Sequence, residues 1–121
     1  MSTLSTHVLD TSLGKPAAGV AVLLERLRDA NGDATIDQRD THLGAGTTDG
    51  DGRLRDFIAA GATLSEGIYR LRFDVGDYFA RQLRTTFFPE VVVVFRVEAA
   101  DEHYHVPLLI SPFGYSAYRG K

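Results

Sequence analysis

Residues 67–73, GIYRLRF, alternate strictly between two kinds of side chain. Because successive side chains of a β-strand point to opposite faces, Tyr69, Leu71 and Phe73 share one face and the arginines share the other. Such a strand buries its aromatic and aliphatic face and leaves its charged face near water. The pattern therefore predicts a half-buried strand in a sheet that is covered on one side.

Seven further segments have the length and composition of strands. Turn-forming pairs separate them, for example Asn31-Gly32 and the two Asp-Gly pairs within residues 48–52. These segments are residues 4–10, 20–27, 41–48, 53–55, 91–97, 104–111 and 115–119. Residues 74–83 predict one short helix with Asp74 or Asp77 as its N-cap. Many short strands with one brief helix are typical of an all-β sandwich, and we expect a single domain over residues 1–121.

Composition narrows the possible functions. The 121 residues carry a net charge of −3, and the basic residues are scattered among acidic ones, which argues against a nucleic-acid partner. The chain has no cysteine, which excludes disulfides and thiolate chemistry and suits the cytoplasm. No segment approaches the roughly 18 apolar residues of a membrane span, and the start MSTLSTHVLD lacks a secretory pattern. We therefore expect a cytoplasmic protein without membrane contact.

Two histidines, His103 and His105, lie one residue apart at the predicted strand 104–111. The inward face of this strand consists of Val106, Leu108 and Ile110. The histidines then share the outward face with Pro107 and Leu109. Since Pro107 has no N–H for a sheet ladder, we expect a bulge or a sheet edge near it. An outward face with this apolar content indicates that a second subunit packs over it.

A metal site is the first alternative for this histidine pair. Two imidazoles on one face bind a metal only with further ligands, and Asp101 and Glu102 are the nearest candidates. Structural zinc sites take four protein ligands, and catalytic ones take three together with a water. The pair is therefore an incomplete site, and we expect neither a metal nor another cofactor.

Three motifs lie far apart in the chain: LSTHVLD at residues 4–10 with GKPA at 14–17, TDGDGR at residues 48–53, and HYHVPLLISP at 103–112 followed by YRG at 118–120. Together they resemble the 5-hydroxyisourate hydrolases, the transthyretin-related enzymes of urate breakdown. The resemblance extends over nearly the whole chain, and the YRG motif separates these enzymes from transthyretin itself. It implies a transthyretin-like (prealbumin-like) sandwich of two four-stranded sheets with one short helix.

The resemblance also implies an activity and a set of site residues. Enzymes of this family hydrolyse 5-hydroxyisourate to 2-oxo-4-hydroxy-4-carboxy-5-ureidoimidazoline: water adds to a ring carbonyl, and a ring C–N bond opens. The family pattern makes His7, Arg53 and His105 catalytic, and Tyr118, Arg119 and Gly120 line the substrate site. It further implies a homotetramer, a dimer of dimers, whose active sites lie in the channel where the dimers meet, and no cofactor.

The chemistry of these residue types fits ring opening. One neutral imidazole takes the proton of the attacking water while the other positions the water or returns the proton, and which of His7 and His105 is the base stays open. Arg53 would bind the urate-like ring and stabilise the developing oxyanion. His103 is expected at the channel mouth. The family usually has serine after the terminal glycine, where this chain has Lys121, so that hydroxyl is missing.

Two other classes of function compete with a hydrolase. One is a carrier like transthyretin, which binds a hydrophobic aromatic ligand in the same channel. Such a carrier needs an open apolar channel. Here the channel would be narrowed and polarised by His7, Arg53, His105 and the bulky Tyr118. The other is a chaperone or structural sandwich module, for which the sequence offers only the fold. His42 matches no motif and is expected at the surface.

Overall fold

The strands of the chain pack as two sheets around one apolar layer. A computed structural model describes residues 3–29, 31–33, 42–58, 64–99 and 101–120. Within these ranges the chain forms nine strands and one α-helix. They are β1 (Thr3–Asp10), β2 (Lys15–Pro16), β3 (Ala21–Arg28), β4 (His42–Thr47), β5 (Arg53–Arg55), β6 (Gly67–Phe73), α1 (Val75–Ala80), β7 (Val91–Val97), β8 (His103–Ser111) and β9 (Gly114–Ala117).

The first sheet has the order β2-β1-β8-β9, and β5 also pairs with β1. Within it β1 and β8 run parallel, and its other pairs are antiparallel. The second sheet has the order β4-β3-β6-β7 and is antiparallel throughout. The predicted all-β sandwich is therefore confirmed. Its first sheet has five strands instead of four when the short β2 and β5 are both counted.

The core lies between the inner faces of the sheets. Tyr69, Leu71 and Phe73 of β6 are fully buried, which confirms the predicted inward face. On β8 the alternation also holds, since Leu108 and Ile110 are buried in the core. Alternation thus fixes which side chains of β8 remain on the outer face of the first sheet. Within the described parts of the chain, no helix is both long and apolar enough to cross a membrane.

The helix α1 (Val75–Ala80) lies within the predicted segment 74–83. Its N-cap is Asp74, whose carboxylate accepts a hydrogen bond of 3.1 Å from the backbone N of Asp77. Two hydrogen bonds cap the C-terminal end of the helix. One runs from the N of Leu83 to the O of Ala80, and the other runs from the N of Arg84 to the O of Phe79. With Leu83 at φ 56°, this is a Schellman motif, which ends the helix.

The expectation of a bulge or an edge at Pro107 is wrong. β8 lies between β1 and β9, and its parallel register with β1 runs without a shift through Pro107. On the other side, β9 pairs Leu108 with Ala117, and the same register returns where His105 pairs with Gly120. The proline has no N–H to donate, so the ladder has a gap at this point while the strand continues straight.

A buried carboxylate holds the end of β1 beneath the helix. Asp10 is fully buried and accepts hydrogen bonds from the Tyr78 hydroxyl at 2.9 Å, from the Ser12 backbone N at 3.0 Å and from the Arg84 guanidinium. Burial alone would raise the pKa of Asp10, but the hydrogen bonds from Ser12, Arg84 and Tyr78 outweigh it and leave the pKa lowered. The carboxylate therefore stays charged and fixes β1 in place.

Candidate active site

The outer face of the first sheet brings the three predicted catalytic side chains together. β1 lies at its centre, flanked by β8 with the register Ser5↔His105 and His7↔Pro107, and by β5 with the register His7↔Arg53. Paired residues on adjacent strands place their side chains on the same face. His7, Arg53 and His105 therefore share one surface, although they come from three strands far apart in sequence.

His105 is partly buried and is held by one of its ring nitrogens. Its Nδ1 lies 2.7 Å from the Ser5 hydroxyl oxygen, so Nε2 remains for chemistry. Burial lowers the pKa of His105 below its ordinary value of 6.5, and the nearby basic side chains of His103, His7 and Arg53 lower it further, against a smaller opposing effect of a hydrogen bond with the Ser5 backbone. The imidazole is therefore neutral at pH 7 and able to accept a proton.

His7 is oriented by a backbone carbonyl. Its Nε2 lies 3.0 Å from the carbonyl oxygen of Asp51. Because a carbonyl only accepts hydrogen bonds, Nε2 carries the proton, and Nδ1 of the neutral ring keeps its lone pair. The structure thus gives His7 a defined tautomer with its free nitrogen on the opposite side of the ring from Asp51.

The turn that follows β4 fixes both Asp51 and Arg53. The Asp49 carboxylate accepts hydrogen bonds from the backbone N of Asp51 at 2.8 Å and of Arg53 at 3.0 Å, and these bonds lower the pKa of Asp49. Gly52 has a φ of +74°, and a Cβ there would lie 2.3 Å from the carbonyl oxygen of Val8. Only glycine therefore allows the turn to lie so close to β1.

The C-terminal segment closes over His105. The N of Gly120 donates a 2.8 Å hydrogen bond to the carbonyl oxygen of His105. A Cβ at Gly120 would lie 2.6 Å from Cδ2 of the His105 ring and 3.0 Å from Cγ of Pro107. The backbone of Gly120 therefore packs directly on the imidazole, which no other residue permits without movement of the ring or the segment.

The other two residues of the YRG motif occupy different surroundings. Tyr118 is 58% exposed and, with His105, lines a cleft of about 300 Å³ that extends to β7. Arg119 donates a 3.0 Å hydrogen bond to the Glu102 carboxylate, and its guanidinium lies 4.6 Å from the centre of the Tyr104 ring. Arg119 is thus held by Glu102 and Tyr104, whereas Gly120 contacts His105 itself.

Two residues that contact His103 or His105 were missed as site residues by sequence reasoning. Ser5 is buried, and its hydroxyl oxygen lies 2.9 Å from Nε2 of His103 as well as 2.7 Å from Nδ1 of His105. Thr3 adds a contact of 2.6 Å to Nδ1 of His103. The alternation of β1 places Thr3, Ser5 and His7 on one face, and this was the signal that could have identified them.

A second, polar cleft opens beside this pair of histidines. It has a volume of about 260 Å³. Its walls are Ser5, Thr6, Arg53, Arg55, His103 and His105. The Ser5 hydroxyl lies between the rings of His103 and His105. The centres of these two rings are 6.5 Å apart, and their planes are inclined by 17°. Among the described residues, no three His, Asp or Glu side chains converge as metal ligands.

Both the sequence and the fold of this chain are similar to those of known proteins. The sequence model of the HIUase/Transthyretin family matches residues 4–120. A 5-hydroxyisourate hydrolase of Caulobacter vibrioides is 47% identical over 124 aligned positions that cover 99% of each chain. The structure of Klebsiella pneumoniae 5-hydroxyisourate hydrolase superposes with a TM-score of 0.80 at 38% identity, covering all of both chains.

Transthyretin itself is also similar. The structure of a sea bream transthyretin in complex with thyroxine has a TM-score of 0.80 at 30% identity, and the match covers 97% of this chain and 93% of that one. The likeness in sequence and in fold therefore agrees with the motifs at residues 4–10, 48–53 and 103–112. This chain belongs to the HIUase/Transthyretin family.

Proposed function

We propose that the protein hydrolyses 5-hydroxyisourate to 2-oxo-4-hydroxy-4-carboxy-5-ureidoimidazoline, a step of urate degradation. The observation that carries the proposal is the shared face of His7, Arg53 and His105, on which an imidazole with a lowered pKa lies beside a fixed cation. Relatives that cover the chain from end to end bear the name of this enzyme. The reaction requires a base, an oxyanion partner and a returning proton, and this face offers all three.

His105 is the general base in this proposal. Its neutral Nε2 takes a proton from the water as the water oxygen bonds to the ring carbonyl carbon. Nδ1 of His7 accepts the other hydrogen of that water and so aims it. The guanidinium of Arg53 stabilises the oxygen that becomes negative. When the ring C–N bond breaks, His105 returns its proton to the leaving nitrogen, and both imidazoles are restored.

The C-terminal segment completes the site. Gly120 supports the His105 ring through direct packing, and Tyr118 forms one wall of the cleft beside it. Arg119 is fixed by Glu102 and Tyr104 and would contribute positive charge at the margin of the cleft. The substrate would lie between this segment and the face formed by β1 and β5.

We further propose a homotetramer, arranged as a dimer of dimers, that closes the site from outside. Val94 is 56% exposed and Phe113 is 74% exposed, which are large values for apolar side chains on a free surface. Light scattering should give a mass near four times the 13.2 kDa of one chain. A mass near that of one chain would contradict the tetramer. A cytoplasmic location stays a prediction from the cysteine-free composition.

A ligand carrier is the second candidate, because a thyroxine-bound transthyretin shares the fold at 30% identity. A carrier would use an apolar channel, whereas here the cleft beside β1 is lined by Arg53, Arg55, His103 and His105. The polar lining favours the hydrolase. Binding of an aromatic ligand without any acceleration of 5-hydroxyisourate decay would favour the carrier instead.

The activity and its residues can be tested together. Urate oxidase generates 5-hydroxyisourate from urate, and its absorbance decay is followed with and without the protein. The protein should accelerate the decay, also after exhaustive chelation, and His7→Ala, Arg53→Ala and His105→Ala should each reduce kcat/KM by about a hundredfold or more. His42→Gln, on the second sheet and 56% exposed, is the matched control and should keep wild-type activity.

Two results would count against this assignment. Decay no faster than in buffer would reject the enzyme. Near wild-type rates in one of the three variants would remove that residue from the site.

The pH dependence should follow His105. Because burial and the nearby basic side chains lower its pKa below 6.5, the neutral basic form predominates at pH 7. The rate kcat/KM should therefore be flat around neutrality and fall on acidification, with a midpoint below pH 6.5. An NMR titration of the His105 ring should give the same midpoint. A midpoint above 6.5 in both measurements would contradict a neutral base held by burial.

A further inference from the structure

An unbroken chain of hydrogen bonds runs along the outer face beside the base. It begins at the Thr3 hydroxyl, 2.6 Å from Nδ1 of His103. Nε2 of His103 lies 2.9 Å from the Ser5 hydroxyl oxygen, which in turn lies 2.7 Å from Nδ1 of His105. Each link is short enough for proton transfer between adjacent heavy atoms. The chain therefore connects a partly buried imidazole to an exposed one through a single hydroxyl.

We propose that Ser5 relays a proton between His105 and His103 during each turnover, with His103 as an exposed store for the positive charge. The inference rests on the proposed hydrolysis. It assigns roles to two residues that do not touch the substrate: Ser5 and His103 act through His105 and are positioning residues.

The relay conserves protons at every step. Before reaction, Nδ1 of His105 donates to Ser5, and the Ser5 hydroxyl donates to Nε2 of His103. When Nε2 of His105 takes the water proton, its Nδ1 proton moves to Ser5, and the proton of Ser5 moves to His103. His105 is then neutral, with its proton on Nε2, and His103 is the cation. Transfer of the Nε2 proton to the leaving nitrogen reverses the chain and restores the first state.

The charges around His105 give the relay a physical reason. Burial lowers the pKa of His105, and the basic side chains of His103 on the same strand, His7 on β1 and Arg53 on β5 lower it further. Arg55 lines the same cleft. A positive charge on His105 is therefore disfavoured, whereas His103 is exposed to water, which solvates an imidazolium.

The register of β1 and β8 builds this arrangement without a dedicated loop. Thr3 pairs with His103 and Ser5 pairs with His105 in the parallel ladder. Ser5 is only 7% exposed, so bulk water does not replace its hydroxyl between the two rings. If Ser5 only held His105 in place, a hydrogen bond to that one ring would be enough. Its hydroxyl instead contacts a nitrogen of each of the two rings.

Substitutions at position 5 test the hydroxyl. Ser5→Ala should lower kcat on 5-hydroxyisourate by about tenfold or more while KM stays within about twofold, since the hydroxyl serves proton transfer and not binding. Ser5→Thr retains a hydroxyl and should recover most of the lost kcat. Ser65→Ala, an exposed serine before β6, is the matched control and should leave kcat unchanged.

A second experiment removes His103, the proposed store of the positive charge, and does not depend on packing at position 5. His103→Ala should lose a similar factor in kcat, and added imidazole should restore it in a concentration-dependent manner, because a free base then takes over the proton. Imidazole should leave the wild-type rate unchanged. A merely structural role of His103 would give no such rescue.

The outcomes separate the two proposals. If the wild-type protein does not accelerate decay, the proposed hydrolase function is wrong. If the wild-type protein is active, wild-type kcat in Ser5→Ala, or a loss in His103→Ala that imidazole does not rescue, would overturn the relay and leave the hydrolase standing. Reduced kcat in Ser5→Ala together with imidazole rescue of His103→Ala would support it.

Discussion

The parallel pairing of β1 with β8 is the contact on which the site depends. Its register runs without a shift from Thr3↔His103 to Asp10↔Ile110, and it joins segments about 100 residues apart. Buried side-chain bonds reinforce the ladder, such as that from the Thr6 hydroxyl to the Val106 carbonyl at 2.7 Å. Such a distant pairing has a large loop-closure cost, so it is held by the core on its inner face. A shift of one residue would move every histidine of β8 to the wrong face.

The same pairing concentrates positive charge, and this sets the chemistry. Arg53 on β5 lies opposite His7 on β1, and His105 lies on β8, on the other side of β1 from Arg53. Partial burial, together with the basic side chains around it, lowers the pKa of His105 and so favours its neutral form at physiological pH. Positive charge that keeps a proton off the base also attracts an anionic or electron-rich ring, so one arrangement serves both substrate binding and the supply of neutral base.

Periodicity in the sequence was sufficient to predict which face of a strand is buried, but not to predict which strands pair with each other. The alternation of β6 and β8 predicted which side chains enter the core, because a period of two is a local property. That His7 faces Arg53 and lies near His105 followed only from the family resemblance, since pairing across 100 residues leaves no local signal.

Ser5 was missed for the same reason. Alternation places Ser5 on the same face of β1 as His7, but its two bonds to histidines arise from the parallel register. The predicted bulge at Pro107 was wrong. A proline lacks the backbone N–H, so one hydrogen bond is missing from the ladder, but the register on both sides of it is unchanged. The helix was predicted within the correct segment, and a Schellman motif with leucine, instead of the usual glycine, at the left-handed position follows its end.

The central claim is that the β1–β8 pairing makes His7 and His105 one catalytic unit acting in a single step. A double-mutant cycle on kcat/KM for 5-hydroxyisourate, with His7→Ala, His105→Ala and the double variant, tests this claim most directly. Residues that act as a unit are strongly non-additive, so the double variant should be no slower than the slower single variant within about threefold. Losses that multiply in the double variant would show that the two imidazoles act independently and would contradict the account.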